Sequence, residues 1–151
     1  MGCAGPSTAG FGLIWMNANA DLERGHNIGT TGRQFRLFSG SLFVIFGLGM
    51  TLLLAVMAVP LAMRAVVFFP MWVGILCLLQ AQTGVCVFLS AKGACTVEGG
   101  TATIEDPTLR QAIEKRAARV HLLALAAAAG VTLILMLASL FIPWQSFFVA
   151  P

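Results

Sequence analysis

Charge is what this sequence has least of. Asp, Glu, Lys and Arg make up 10% of its 151 residues, against 58% hydrophobic residues and a mean hydropathy of +0.89. A water-soluble domain carries about a quarter charged residues. So sparse a set cannot clothe a water-exposed surface, so the solvent for most of this chain is lipid. The net charge of +3 is small and scattered, which argues against a nucleic-acid partner. No ionisable Asp, Glu, Lys, Arg or His lies between Leu42 and Met63, between Ala65 and Ser90, or after His121. Pumps and ion channels place such groups inside the membrane, so both classes are disfavoured. The opening "MGCAGPSTAG" has no basic start, so a cleaved secretion signal is not expected. Pro6 stands where myristoylation wants Ser or Thr. There is no CxxC, no Ser/His/Asp set, no phosphate-cradling glycine loop and no carboxylate pair placed in a cleft. With only Cys3, Cys77, Cys86 and Cys95, and no His at ligand spacing, a metal site is not expected either. The expectation is a protein with no enzymatic activity and no cofactor.

What the sequence does have is apolar runs. Gly40–Met63, Ala65–Ser90 and Leu122–Val149 are each long enough to span a bilayer, which takes roughly 20 residues. "FGLIWM" (11–16) is too short to cross and suits the interface, with Trp15 at headgroup level. Arg24, Arg33, Arg36, Lys92, Arg110, Lys115, Arg116 and Arg119 fall on one side of the spans and Arg64 alone on the other, eight against one. By the positive-inside rule the N-terminus is then cytoplasmic and the C-terminus external. The expected fold is an all-α membrane protein of three transmembrane helices. Residues 1–26 form an N-terminal arm, partly interfacial, 27–95 a two-span hairpin, and 96–106 a cytoplasmic loop. Residues 107–151 form an amphipathic stub leading into the third helix and a short external tail. Asp106-Pro107 reads as an N-cap followed by proline at the first helical position. Leu109, Ile113 and Val120 suit a stub resting on the membrane surface.

Small residues fall on stripes along the spans: Gly40, Gly47 and Thr51 on the first, Gly74 and Gly84 on the second, Ala124 and Ala128 on the third. In lipid such faces drive helix association through close approach. Gln80, Gln82 and Thr83 form the strongest polar cluster in a span and read as helix–helix glue. Arg33, Arg36, Arg116 and Arg119 suit headgroup depth, where each gains roughly 1 kcal/mol from anionic lipid. A lone membrane cysteine is most often a small hydrophobe; Cys86, with Cys95 as a resolving partner, is the candidate for thiol chemistry. In a reducing cytoplasm no structural disulfide is expected. His121, at the mouth of the third span, is either an interface residue or a pigment or haem ligand.

Asn27, Ile28, Gly29, Thr30, Arg33, Arg36 and Gly40, together with Gly84, Cys86 and Gly93, carry a resemblance. Over residues 27–95 the chain resembles the YgaP-like transmembrane domain family, small bacterial inner-membrane hairpins found alone or fused to a rhodanese domain. Val87 stands where that family usually has proline, and the arm, the loop and the third span are additions. The resemblance implies a bacterial inner-membrane location. It carries over no sulfurtransfer catalysis, because no rhodanese domain is present. The leading expectation is a structural or accessory subunit whose partners are the bilayer and other membrane helices, its own copies or a larger complex. The rival is thiol or sulfur handling through Cys86 and Cys95.

Overall fold

The computed structural model describes residues 3–4, 20–97 and 100–141; the stretch 11–16 expected at the interface and the expected external tail lie outside them. Among the described residues three helices are long and apolar enough to cross a membrane: Thr30–Val56, Leu61–Thr83 and Pro107–Phe141. The first is α1. The second is built from α2 (Leu61–Arg64), a 3-10 turn (Ala65–Val67) and α3 (Phe68–Thr83). A short α4 (Val87–Ala91) follows, and the third long helix is α5 (Pro107–Phe141). The chain is therefore helical in bulk, as composition implies.

The punctuation explains the boundaries. α1 starts ten residues before the first apolar run, since Thr30 to Ser39 contains no proline to stop it. It ends at Val56 because Ala58 takes a left-handed φ of 53°, and Val59 N–H then reaches back to Leu54 O at 3.1 Å. That wrap is the usual helix C-terminal closure, with alanine where glycine is commoner. Pro70 lies in the first turn of α3, where its missing N–H costs little. α3 stops at Thr83, short of Ser90, because Gly84 has φ 67° and returns its N–H to Gln80 O at 3.0 Å. At α5 the expected cap is present: Asp106 Oδ1 accepts from Thr108 N at 2.8 Å and Leu109 N at 3.4 Å.

α3 lies between α1 and α5, which touch each other little. The α1–α3 contact is made glycine to glycine. A Cβ at Gly40 would stand 2.9 Å from Gly74 O, and one at Gly74 only 3.0 Å from Gly40 O. Gly47 meets Met71 in the same way, its Cβ position 2.7 Å from the Met71 sulfur. α5 buries Ala117, Val120, Ala124, Ala128 and Thr132. The small-residue stripes thus close the chain's own bundle. Outward faces are apolar, with Phe35, Phe38, Ile45, Phe46, Leu122, Leu133 and Ile134 exposed.

At one end of the bundle the expected plain loop is instead a small sheet. β1 (Cys3–Ala4), β2 (Ala94–Val97) and β3 (Gly100–Ile104) pair antiparallel in the order β1-β3-β2, with Cys95 opposite Ala102 and Cys3 opposite Ile104. "GTATI" alternates small or apolar with β-branched polar residues, the pattern of a half-buried strand. Ala102 and Ile104 face inward, Thr101 and Thr103 outward. Cys95, Ala102 and Ile104 close over Leu22, Val85, Ile113 and Ala117. This corrects the amphipathic-stub reading: Ile113 (1% exposed) and Val120 (4%) are buried in protein rather than laid on lipid. Leu109 packs against the same cluster.

Candidate functional site

Asn27, Arg33, Arg36, Gly84 and Cys86 meet at the sheet end of the bundle, while Gly40 lies in the α1–α3 seam. Asn27, just before α1, is 2% exposed and spans the break between α3 and α4. Its Oδ1 accepts from Cys86 N at 2.6 Å and its Nδ2 donates to Cys86 O at 3.2 Å. Its backbone joins in: Asn27 N donates to Gly84 O at 3.0 Å, and Asn27 O accepts from Thr96 N at 3.0 Å. One asparagine therefore ties the start of α1 to the α3–α4 corner and to β2. Asn27 is not the cap of α1, whose N-cap is Gly29 with no side-chain hydrogen bond.

The two arginines of α1 also turn inward rather than toward headgroups. Arg33 Nε donates to Ala81 O at 2.9 Å, taking up a carbonyl of the last turn of α3. Arg36 Nε donates to Gln80 Oε1 at 3.0 Å, Nη1 to Gly32 O at 3.3 Å, and Nη2 to Cys86 Sγ at 3.0 Å. Of the expected polar cluster only Gln80, 4% exposed, bonds across to another helix; Gln82 is exposed and Thr83 Oγ1 donates to Leu79 O of its own helix. Cys86 is not inside a helix. It is the extended N-cap of α4 (φ −95°, ψ 122°), buried to 2%, with its free thiol against the Arg36 guanidinium. Gly84 is required at the corner twice over: it holds a left-handed φ, and a Cβ there would meet the His26 ring at 2.7 Å. His26 is held below its ordinary 6.5, first by burial and then by the cationic neighbours Arg33 and Arg116.

The other expected site residues are placed elsewhere. Cys95 lies in β2 and is disulfide-bonded, which overturns both the expectation of no structural disulfide and its role as a resolving thiol. Arg116 donates to Arg24 O at 3.4 Å on the surface, while Arg119 is exposed. Gly93, with φ 60°, packs under the Arg110 guanidinium. His121 meets Trp72 edge-on, ring centroids 5.7 Å apart, and its buried Nδ1 has no hydrogen-bond partner among the described residues. Among the described residues no group of His, Cys, Asp and Glu is arranged to hold a metal ion. The sequence reading missed two things: Asn27 as the central tie, and Arg64 bonding Ser139 at 2.7 Å across 75 residues. Asn27 did carry a signal, as a buried-type polar residue standing next to an apolar Ile28.

Comparison with protein-family models, with curated proteins and with solved structures finds no match for this chain.

Proposed function

We propose that this chain is a non-catalytic structural or accessory subunit of a membrane complex, resident in a bacterial inner membrane with its N-terminus cytoplasmic. The observation that carries the reading is α1. Its inner side is closed against α3 glycine to glycine, and its outer side presents Phe35, Phe38, Leu42, Ile45, Phe46 and Leu53 along most of its length. The arginines and Gln80 that lie between helices are committed to partners inside the chain. What remains for a neighbour is an apolar helix face, suited to lipid and to other membrane helices. The small-residue stripes that first suggested association are used up internally, so the partner surface moves to this outer face. A photo-crosslinking residue at Phe38 or Ile45, activated in native membranes, is expected to give protein adducts of discrete mass. Lipid adducts alone, with a monomer by native mass spectrometry from mild detergent, would refute the reading.

A second reading is favoured by one distance, the 3.0 Å from Arg36 Nη2 to Cys86 Sγ. A guanidinium beside a thiol is an arrangement in which a sulfur anion is held and used. The corner also opens at Gly84 without the family's proline, so Val87 does not bar it. Against it stand the 2% exposure of Cys86 and the bonded state of Cys95. The subunit reading expects slow maleimide labelling of Cys86 in membranes. Fast labelling that Arg36→Gln abolishes, or a persulfide on Cys86 in purified protein, would put sulfur handling first.

A further inference from the structure

Where the chain enters α1, one ionisable ring covers the α3–α4 corner. Residues 20–23 form a helical turn whose Leu22 is anchored in the core under the sheet. The turn closes with Gly25 N donating to Leu22 O and His26 N to Asp21 O, both at 2.8 Å. The His26 ring then lies directly on Gly84, where a Cβ would stand 2.7 Å from ring Cγ and Cδ2. The following residue, Asn27, takes the Gly84 carbonyl through its own N–H at 3.0 Å, and the Cys86 N–H and carbonyl through its side chain. Ring and clasp are thus one residue apart on the same corner.

The surroundings of the ring are cationic. Arg33 of α1, Arg116 of α5 and Arg24 of its own turn all act on it, and Asp21 alone opposes them. The corner adds no charge, since Gly84 and Val85 carry none and the Cys86 thiol is taken by Arg36. Two of the guanidinia are tied in place: Arg33 Nε donates to Ala81 O at 2.9 Å and Arg116 Nη1 to Arg24 O at 3.4 Å. Asp21 gives only partial relief, because its carboxylate also lies 4.0 Å from Arg24. A proton on the half-buried ring therefore adds charge where hydration is reduced and three cations are near. A ring turned out to solvent takes the same proton without that cost. Acid then favours the displaced position over the seated one. The direction matches burial first, and Arg33 and Arg116 next, holding His26 below its ordinary 6.5.

We propose that His26 is an acid-released cover on the Gly84 corner. Seated while neutral, the ring shields the Gly84–Asn27 hydrogen bond and the Cys86 clasp behind it; on protonation it swings into solvent and lets water reach them. The device stands apart from both functional readings above, since it needs neither a partner helix nor a sulfur substrate. It responds to acidity on the sheet side of the membrane, whichever compartment that side faces.

The test is amide hydrogen exchange of the full chain in neutral-detergent micelles, read by peptide mass spectrometry and scaled for the intrinsic pH dependence of exchange. Residues 84–90 are expected to lose protection as pH falls below 6.5, the ordinary value of the ring, while residues 40–47 of the glycine seam keep theirs. In His26→Gln, which takes no proton, protection of the corner should not change with pH. In His26→Lys, charged throughout, it should be low at both ends of the range. Arg116→Gln removes one repelling cation and should shrink the acid-induced loss; it leaves ring and seat intact, so it reports even if neither His26 variant folds. Loss of protection in the seam and the corner together would mean that acid weakens the whole fold, and the proposal fails. A loss that persists in His26→Gln, a loss that Arg116→Gln leaves undiminished, or no loss in the unaltered chain also overturns it.

Discussion

Alanine at Gly40 is the sharpest probe of how α1 and α3 are joined. Its Cβ would stand 2.9 Å from Gly74 O, 3.0 Å from Leu78 Cγ and 3.1 Å from Cys77 Cβ. Two of those three atoms are backbone or near-backbone and cannot swing aside. The helices must therefore part by about half an ångström to restore ordinary contact, losing dispersion along the whole seam. Forcing a methyl into a closed contact costs about 1–3 kcal/mol. Against this, alanine in a helix is better than glycine by roughly 0.5–1 kcal/mol. Gly49, on the same helix with nothing within 4 Å of its Cβ position, separates the two effects. Gly49→Ala should be neutral or slightly stabilising, and Gly40→Ala should fall about 1–3 kcal/mol below it. Gly74→Ala, whose Cβ meets Val44 Cγ2 at 2.8 Å and Gly40 O at 3.0 Å, should behave alike. The pair should cost less than the sum, because both widen one gap. Unfolding in mixed micelles, titrated with a denaturing detergent and read by tryptophan fluorescence, measures these differences. If Gly40→Ala and Gly49→Ala unfold together, the glycine seam does not hold the hairpin.

Asn27→Ala removes both partners of the Cys86 peptide groups and should cost at least ~2 kcal/mol; equal stability of Asn27→Ala and the unaltered chain would show that water replaces the side chain. Ala58→Gly should stabilise by about 1 kcal/mol, since an L-residue is strained at left-handed φ, and an unchanged denaturation midpoint would refute this. His26 is held below 6.5, so the unfolded chain binds its proton more readily than the folded one. Stability is then full above 6.5 and is lost as pH falls through the lower folded value; His26→Gln should flatten that part of the unfolding-versus-pH curve. Asp106, held below 3.8 by its bonds to Thr108 and Leu109, adds a second loss with the same sign in more acid solution.

How much of this was legible in the sequence follows from physics of different range. Three apolar runs announce three helices because lipid demands internal backbone bonding over a known thickness. Their ends were misplaced where the signal was a dihedral rather than a composition. Nothing in "AVMAVP" says that Ala58 will turn left-handed, and Gly84 read as part of a packing stripe when its role is to break the helix. The sheet was hidden for another reason. "ACTV" and "GTATI" are short, and the third strand, β1, pairs with "GTATI" across about a hundred residues, Cys3 with Ile104, so no local window contains the whole sheet. Polar residues were found but misdirected. Arg33 and Arg36 look like headgroup anchors when α1 is considered alone, and only the nearness of the α3 end gives them Ala81 O, Gln80 and Cys86 to bind. The same holds for Arg64, counted as a stray charge until Ser139 comes beside it.

Two signals now pull the orientation of the chain in opposite directions. Eight of nine basic residues lie at the sheet end, and basic flanks stay in the cytoplasm. Cys95, at that same end, is disulfide-bonded, and such bonds persist in oxidising compartments. The orientation proposed above follows the basic count, because orientation is chosen during insertion and the later use of Arg33 and Arg36 inside the fold does not erase that bias. The bond at Cys95 then becomes a reporter. Facing the cytoplasm it sits against a reducing thiol pool, and the sheet would be held there by Ala102, Ile104, Ile113 and Leu22 rather than by sulfur. Thiols are tagged in intact cells with a membrane-permeant maleimide, and the tagged peptides are then read by mass spectrometry. Cytoplasmic orientation expects Cys95 to be tagged without added reductant. Protection of Cys95 until a reductant is supplied, together with tagging by an impermeant reagent from outside after reduction, would reverse the orientation and place the whole Asn27–Arg36–Cys86 clasp on the external face.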